Sequence, residues 1–141
     1  MQSYLEGEFY DACDRLSDAQ LYFRQVNTDA NWALLTTELF IFWSMYFTGQ
    51  IERLSRELPD AWSKASQTNN WFSSSGLTLS YQLLLIAQNR LETAEAVVMA
   101  DENLFDMSEV PIQTANQIYS RSELELLRGK AESGWKRLVL N

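Results

Sequence analysis

Apolar residues recur along this chain at i, i+3, i+4 and i+7, the spacing that places them on one face of a helix. The pattern predicts a first set of helices over 30–48, 72–88 and 110–128. A second set is predicted over 8–25, 50–67, 91–104 and 130–140, and residues 1–6 read as the last turn and a half of a further helix. No segment alternates apolar and polar residues or carries a hairpin signal, so the expected fold class is all-α. The connectors 27–29, 68–70 and 106–109 are rich in Asn, Thr, Asp and Ser, residues that end or cap helices. Asp106 or Ser108 could cap the helix opened by Pro111, where a missing N–H costs little. Pro59 falls inside a second-set helix, which it should kink or split at 58/60, re-aiming Trp62.

The pattern repeats. Gly7, Gly49, Asn89 and Gly129 stand at spacings of 42, 40 and 40 residues. Gly and Asn are the residues that best tolerate a left-handed conformation after a helix. Two residues later come Phe9, Ile51, Leu91 and Ala131, and nine residues later Leu16, Leu58, Val98 and Leu138. Three residues before the turn stand Tyr4, Tyr46, Ile86 and Leu126. The chain therefore divides into a partial repeat 1–27 and repeats 28–69, 70–105 and 106–141, each a helix, a tight turn and a second helix. The partial first helix and the closing Leu138-Val139-Leu140 suggest a piece of a longer chain, with open ends available for self-association.

Composition narrows the chemistry. With 11 basic and 19 acidic residues the formal charge is −8, which disfavours nucleic acid and anionic membrane as partners. There is no histidine, which removes the commonest general base and metal ligand. The single Cys13 fits a reducing compartment and reads as a small packed side chain. The start lacks a signal peptide. The apolar stretch 32–48 is short for a membrane span and carries Glu38, so it reads as a helix buried on most sides. A cytoplasmic location is expected.

Tyr4-Leu5-Glu6-Gly7-Glu8-Phe9-Tyr10-Asp11-Ala12 and Asn89-Arg90-Leu91-Glu92-Thr93-Ala94-Glu95-Ala96 resemble the turn of a tetratricopeptide repeat. The segment 46–59 and the closing Gly134-Trp135-Lys136-Arg137-Leu138 are similar to a narrower group. These are the tetratricopeptide-like regions that follow the kinase domain in some large bacterial serine/threonine protein kinases. The period here is longer than the roughly 34 residues of ordinary tetratricopeptide repeats. Phe42 and Gln82 stand where that family places a small residue, and no kinase signature is present. The resemblance implies a right-handed α-solenoid of antiparallel helix-turn-helix repeats. It also implies a protein- or peptide-binding role within a larger bacterial signalling protein.

In that family the first helix of each repeat lines a groove. By distance from the turn, groove positions here are Thr36, Leu39 and Trp43, then Gly76, Leu79 and Leu83, then Asn116, Tyr119 and Glu123. The three leucines read as core. Thr36, Trp43, Asn116, Tyr119 and Glu123 remain as candidates for partner contact, since they combine apolar area with hydrogen-bonding ends. An alternative is a small-molecule sensor holding its ligand in an aromatic-lined cavity between repeats. An enzyme working through carboxylates alone would need acids such as Glu123 and Glu125, or Asp101 and Glu102, to converge. Asp101, Glu102, Asn103 and Asp106 lack the spacing of a calcium loop. Ser73-Ser74-Ser75-Gly76 lacks the context of a phosphate loop and reads as a site of close helix packing. No catalytic, cofactor or metal residue is assigned.

Overall fold

The computed structural model describes residues 1–26, 31–67, 71–102 and 111–140. Those residues form eight helices and no strand: α1 (Gln2–Leu5), α2 (Phe9–Val26), α3 (Asn31–Thr48), α4 (Ile51–Gln67), α5 (Trp71–Ala87), α6 (Leu91–Glu102), α7 (Pro111–Leu127) and α8 (Ala131–Leu140). The expected capping residues at 27–29, 68–70 and 106–109 lie outside the described residues.

Each predicted turn closes in the same way. Gly7, Gly49, Asn89 and Gly129 all have positive φ, between 58° and 80°. At Gly49 the turn residue's N–H donates to Tyr46 O at 3.1 Å, and the next N–H, of Gln50, donates to Met45 O at 3.0 Å. The same pair of bonds recurs at Gly7, Asn89 and Gly129. This is the doubly bonded helix stop that needs a left-handed residue at its corner. Antiparallel helix pairs α1–α2, α3–α4, α5–α6 and α7–α8 follow from it.

Sequential neighbours pack against one another, and α5 also packs directly against both α3 and α7. The run of small residues on α5 allows this. A Cβ added to Gly76 would lie 2.7 Å from Leu39 Cδ2, so a larger residue there would force the Leu39 side chain to shift. The Trp43 indole N–H donates to Gly76 O at 2.6 Å, and Ser80 Oγ donates to Phe42 O at 2.9 Å. Leu54, Leu58, Leu77 and Leu79 complete one core cluster, while Leu85, Ala94, Val98 and Leu124 form a second. Tyr4, Phe40 and Trp43 add edge-to-face aromatic contacts, Tyr4 and Phe40 at 4.8 Å between ring centres.

One expectation changes: α4 is not split at Pro59. Pro59 is exposed, so the Ser55 carbonyl that loses its N–H partner lies on the outer side of the helix. Trp62 beyond it stacks on Tyr81 of α5, at 4.4 Å and 20°. Cys13 is buried, and Arg53 Nη1 donates to its sulfur at 3.1 Å. Burial pushes the Cys13 thiol pKa up, which suits a packing role. No helix among the described residues is long and apolar enough to cross a membrane.

Candidate functional site

α7 carries Asn116, Tyr119 and Glu123 at intervals of three and four residues, which aligns them along one stripe. That stripe faces α5 and, beyond it, α3. Gln82 of α5 is fully buried, and its Nε2 donates to Glu123 Oε2 at 2.8 Å and to Ser120 O at 3.1 Å. Both partners are acceptors, which fixes the orientation of the amide. From α3, the Tyr46 hydroxyl donates to Glu123 Oε2 at 3.2 Å. The Tyr46 and Tyr119 rings meet edge to face at 6.1 Å. α3 and α7 thus reach each other over α5 on this side, and Glu123 is the point where three helices meet.

The electrostatics follow from that position. Burial pushes the Glu123 carboxyl pKa up, and the bonds from Tyr46 and Gln82 oppose this less strongly. Burial, followed by the neighbouring Glu123 carboxylate, also raises the Tyr46 hydroxyl. The site is short of partners. Gln82 Oε1, Ser120 Oγ and Asn116 Nδ2 are buried without a hydrogen bond among the described residues. Tyr119, in contrast, stays 45% exposed at the rim.

Of the five candidate contact residues, Asn116, Tyr119 and Glu123 share this site. Thr36 sits half-buried two to three turns earlier on α3, about 15 Å along the axis from Tyr46. Trp43 corrects the expectation. It is only 2% exposed, its indole N–H is taken by Gly76, and its ring packs on Phe40. It is a core residue with no surface to offer a partner. Leu39 and Leu79 are core as expected, and Leu83 is partly buried against it.

Tyr46 and Gln82 are members that sequence reasoning missed. Tyr46 was legible only as the buried residue three before a turn. Gln82 carried a signal, being the lone amide in the apolar run Leu79-Ser80-Tyr81-Gln82-Leu83-Leu84-Leu85.

The two carboxylates of α7 do not converge. Glu125 faces α8, where its Oε1 accepts from Arg137 Nη2 at 3.0 Å, and Arg121 Nε of α7 itself lies 3.6 Å from the same oxygen. The hydrogen bond from Arg137 holds its carboxyl below the usual range. Arg121 and Arg128 extend this network to Glu95 of α6. Asp101, Asn103 and Asp106 belong to a stretch whose side chains lie outside the described residues. Among the described residues, no group of three His, Cys, Asp or Glu is placed to hold a metal ion.

A concavity of about 560 Å³ lies elsewhere, between α2, α3 and α4. Arg24, Arg53, Arg56, Lys64, Glu38 and Glu57 line it over a floor that includes Ile41 and Phe42. Its walls are charged, in contrast with the aromatic cavity expected for a sensor. Searches with the whole chain found no matching protein-family model, no matching curated protein and no matching solved structure.

Proposed function

We propose that this chain is a protein- or peptide-binding helical-repeat module that recognises its partner on the face shared by α3, α5 and α7. The observation that carries this reading is the convergence of Tyr46, Gln82 and Glu123 beneath an exposed Tyr119. An aromatic anchor with a polar end, set beside half-buried hydrogen-bonding groups, suits an interface in which a few residues dominate affinity. The half-buried Asn116 and Glu123 on either side of Tyr119 add polar character at the rim, which favours a partner with hydrogen-bonding groups. The four matching turns and the packing of α5 on both α3 and α7 support a solenoid of the tetratricopeptide-like kind. The sequence resemblance supports a regulatory role within a larger bacterial signalling protein in the cytoplasm.

A photo-crosslinking residue in place of Tyr119, compared with one in place of the exposed Tyr22 on α2, tests this in cells. A discrete adduct formed from position 119 and absent from position 22 supports the reading. Equal labelling from both positions, or none from 119, overturns it.

The concavity between α2, α3 and α4 favours a second reading, a sensor of a small charged metabolite. That reading predicts a metabolite that raises the melting temperature of the parent protein. The rise should shrink in Arg56→Ala, whose side chain is exposed on the cleft wall.

A further inference from the structure

The walls of the concavity between α2, α3 and α4 follow from how the three helices run. Phe9 at the start of α2 stacks on Phe47 at the end of α3, so those two helices are antiparallel, and the Gly49 turn reverses the chain again into α4. α2 and α4 therefore run parallel on either side of α3. Arg53 of α4 ties them at one end. It donates to Cys13 Sγ at 3.1 Å and to Ser17 Oγ at 3.2 Å, while its Nε donates to Glu57 at 2.9 Å. Beyond that tie, α2 lines the cleft with Leu21 and Arg24, four and seven residues on from Ser17 and so on the same stripe. α4 lines the other wall with Arg56 and Lys64. Ile41 and Phe42 of α3, both buried, form the floor, and Leu21 is 56% exposed above it. A volume of about 560 Å³ is enough for a small molecule.

The charge in this cleft runs against that of the chain. Four of the 11 basic residues line it, in a protein of net charge −8. Glu57 neutralises Arg53, whereas Arg24 and Arg56, on opposite walls, make no ion pair among the described residues. The opposing acids are Glu38 and Asp60. Asp60 is exposed on α4, where water and salt screen it. Glu38 is half-buried on α3. Burial pushes its carboxyl pKa up, and Lys64 and Arg24 pull it down. Glu38 therefore competes with any other anion for those two cations.

We infer that this cleft binds a small organic anion, its carboxylate or phosphate head met by Arg24 and Arg56 and its apolar body laid against Leu21 over the Ile41–Phe42 floor. A guanidinium offers paired N–H donors that match either head. The inference rests on the reading of this cleft as a ligand site and gives that ligand its class.

Phenyl phosphate and benzoate carry such heads on an aromatic body, and benzylamine carries the opposite charge on the same body. Each is titrated into the chain while NMR follows the methyl groups of Leu21, Ile41 and Ala61. The expected result is saturable shifts with the anions and none with benzylamine. Tighter binding of phenyl phosphate points to a phosphate ester as the ligand, and tighter binding of benzoate to a carboxylate. Arg24→Gln and Arg56→Gln should each weaken anion binding at least about threefold. Both side chains are exposed, so the melting temperature without ligand should stay unchanged. Glu38→Gln should tighten binding by a similar factor, because it frees Arg24 and Lys64, an outcome that no merely structural role for Glu38 predicts. Arg90→Gln, exposed and outside the cleft, should leave binding as it was. Anion binding that is unaltered in both cleft arginine variants, or that falls equally in Arg90→Gln, overturns the inference. Methyl shifts with benzylamine in place of the anions overturn the ligand class and leave the cleft as a ligand site. No shift with any of the three probes overturns the inference, and the sensor reading falls with it only if no metabolite raises the melting temperature either.

Discussion

α3 and α7 occupy the same place in successive helix pairs, yet matching positions on them have different fates. Six residues before the turn, α3 has the buried Trp43 and α7 has the half-buried Glu123. Ten residues before it, α3 has the buried Leu39 and α7 the exposed Tyr119. The cause is the set of neighbours. α3 lies between α2 and α5, and the absent side chain of Gly76 lets α5 close down on Leu39 and Trp43. α7 lies against α5, α6 and α8, and at the rim of the stripe facing α5 it keeps one aromatic ring open. A repeat fixes where a position sits on its helix. What packs across from that helix decides whether the position becomes core or surface.

The largest effect that separates the two helices comes from truncating their aromatics. Trp43→Ala should destabilise the fold by about 3–5 kcal/mol, through lost burial and the cavity left between α3 and α5. Chemical denaturation measures this. A loss as small as that of a surface substitution would mean that Trp43 does not hold the two helices together.

Next comes the polar joint over α5. Gln82→Leu keeps the volume but strips the donor from Ser120 O and Glu123, and should cost about 1–3 kcal/mol. If Gln82→Leu is neutral, the joint contributes nothing to the association of α5 with α7.

The carboxylates of α7 should then respond to pH in opposite ways. The Glu123 pKa is raised by folding, so its contribution is full below the ordinary carboxylate range and is lost as pH rises through the raised value. The Glu125 pKa is lowered by folding, so its contribution is full above that range and is lost as pH falls through the lowered value. Glu123→Gln should therefore match or exceed the parent's stability at neutral pH. Glu125→Gln should fall below it by about 1 kcal/mol, given the partly exposed Arg137 partner, with the gap closing in acid. Stability curves for both variants across the acid range test this, and parallel curves would contradict the assignment.

Much of the helical frame was legible because its turns demand a rare backbone. Only Gly or Asn settles easily at positive φ, so Gly7, Gly49, Asn89 and Gly129 marked the corners. Helix ends followed to within two residues from the apolar spacing. Pro59 does not split α4, because its side of the helix faces water, which no local pattern reveals. The site was half legible. Counting from the turn found Asn116, Tyr119 and Glu123, since one stripe of one helix is a local property. The same count chose Trp43 and passed over Tyr46 and Gln82, because their roles depend on α5 lying between α3 and α7.

The smallest expected effect on the fold carries the central claim. Tyr119→Ala should change stability by less than about 0.5 kcal/mol, as surface substitutions do. The decisive measurement is the affinity of the partner identified by crosslinking, determined in parallel with the melting temperature of Tyr119→Ala. The account predicts at least a tenfold loss of affinity, about 1.4 kcal/mol, with an unchanged melting temperature. Undiminished affinity, or a loss that only tracks a fall in melting temperature, would contradict it.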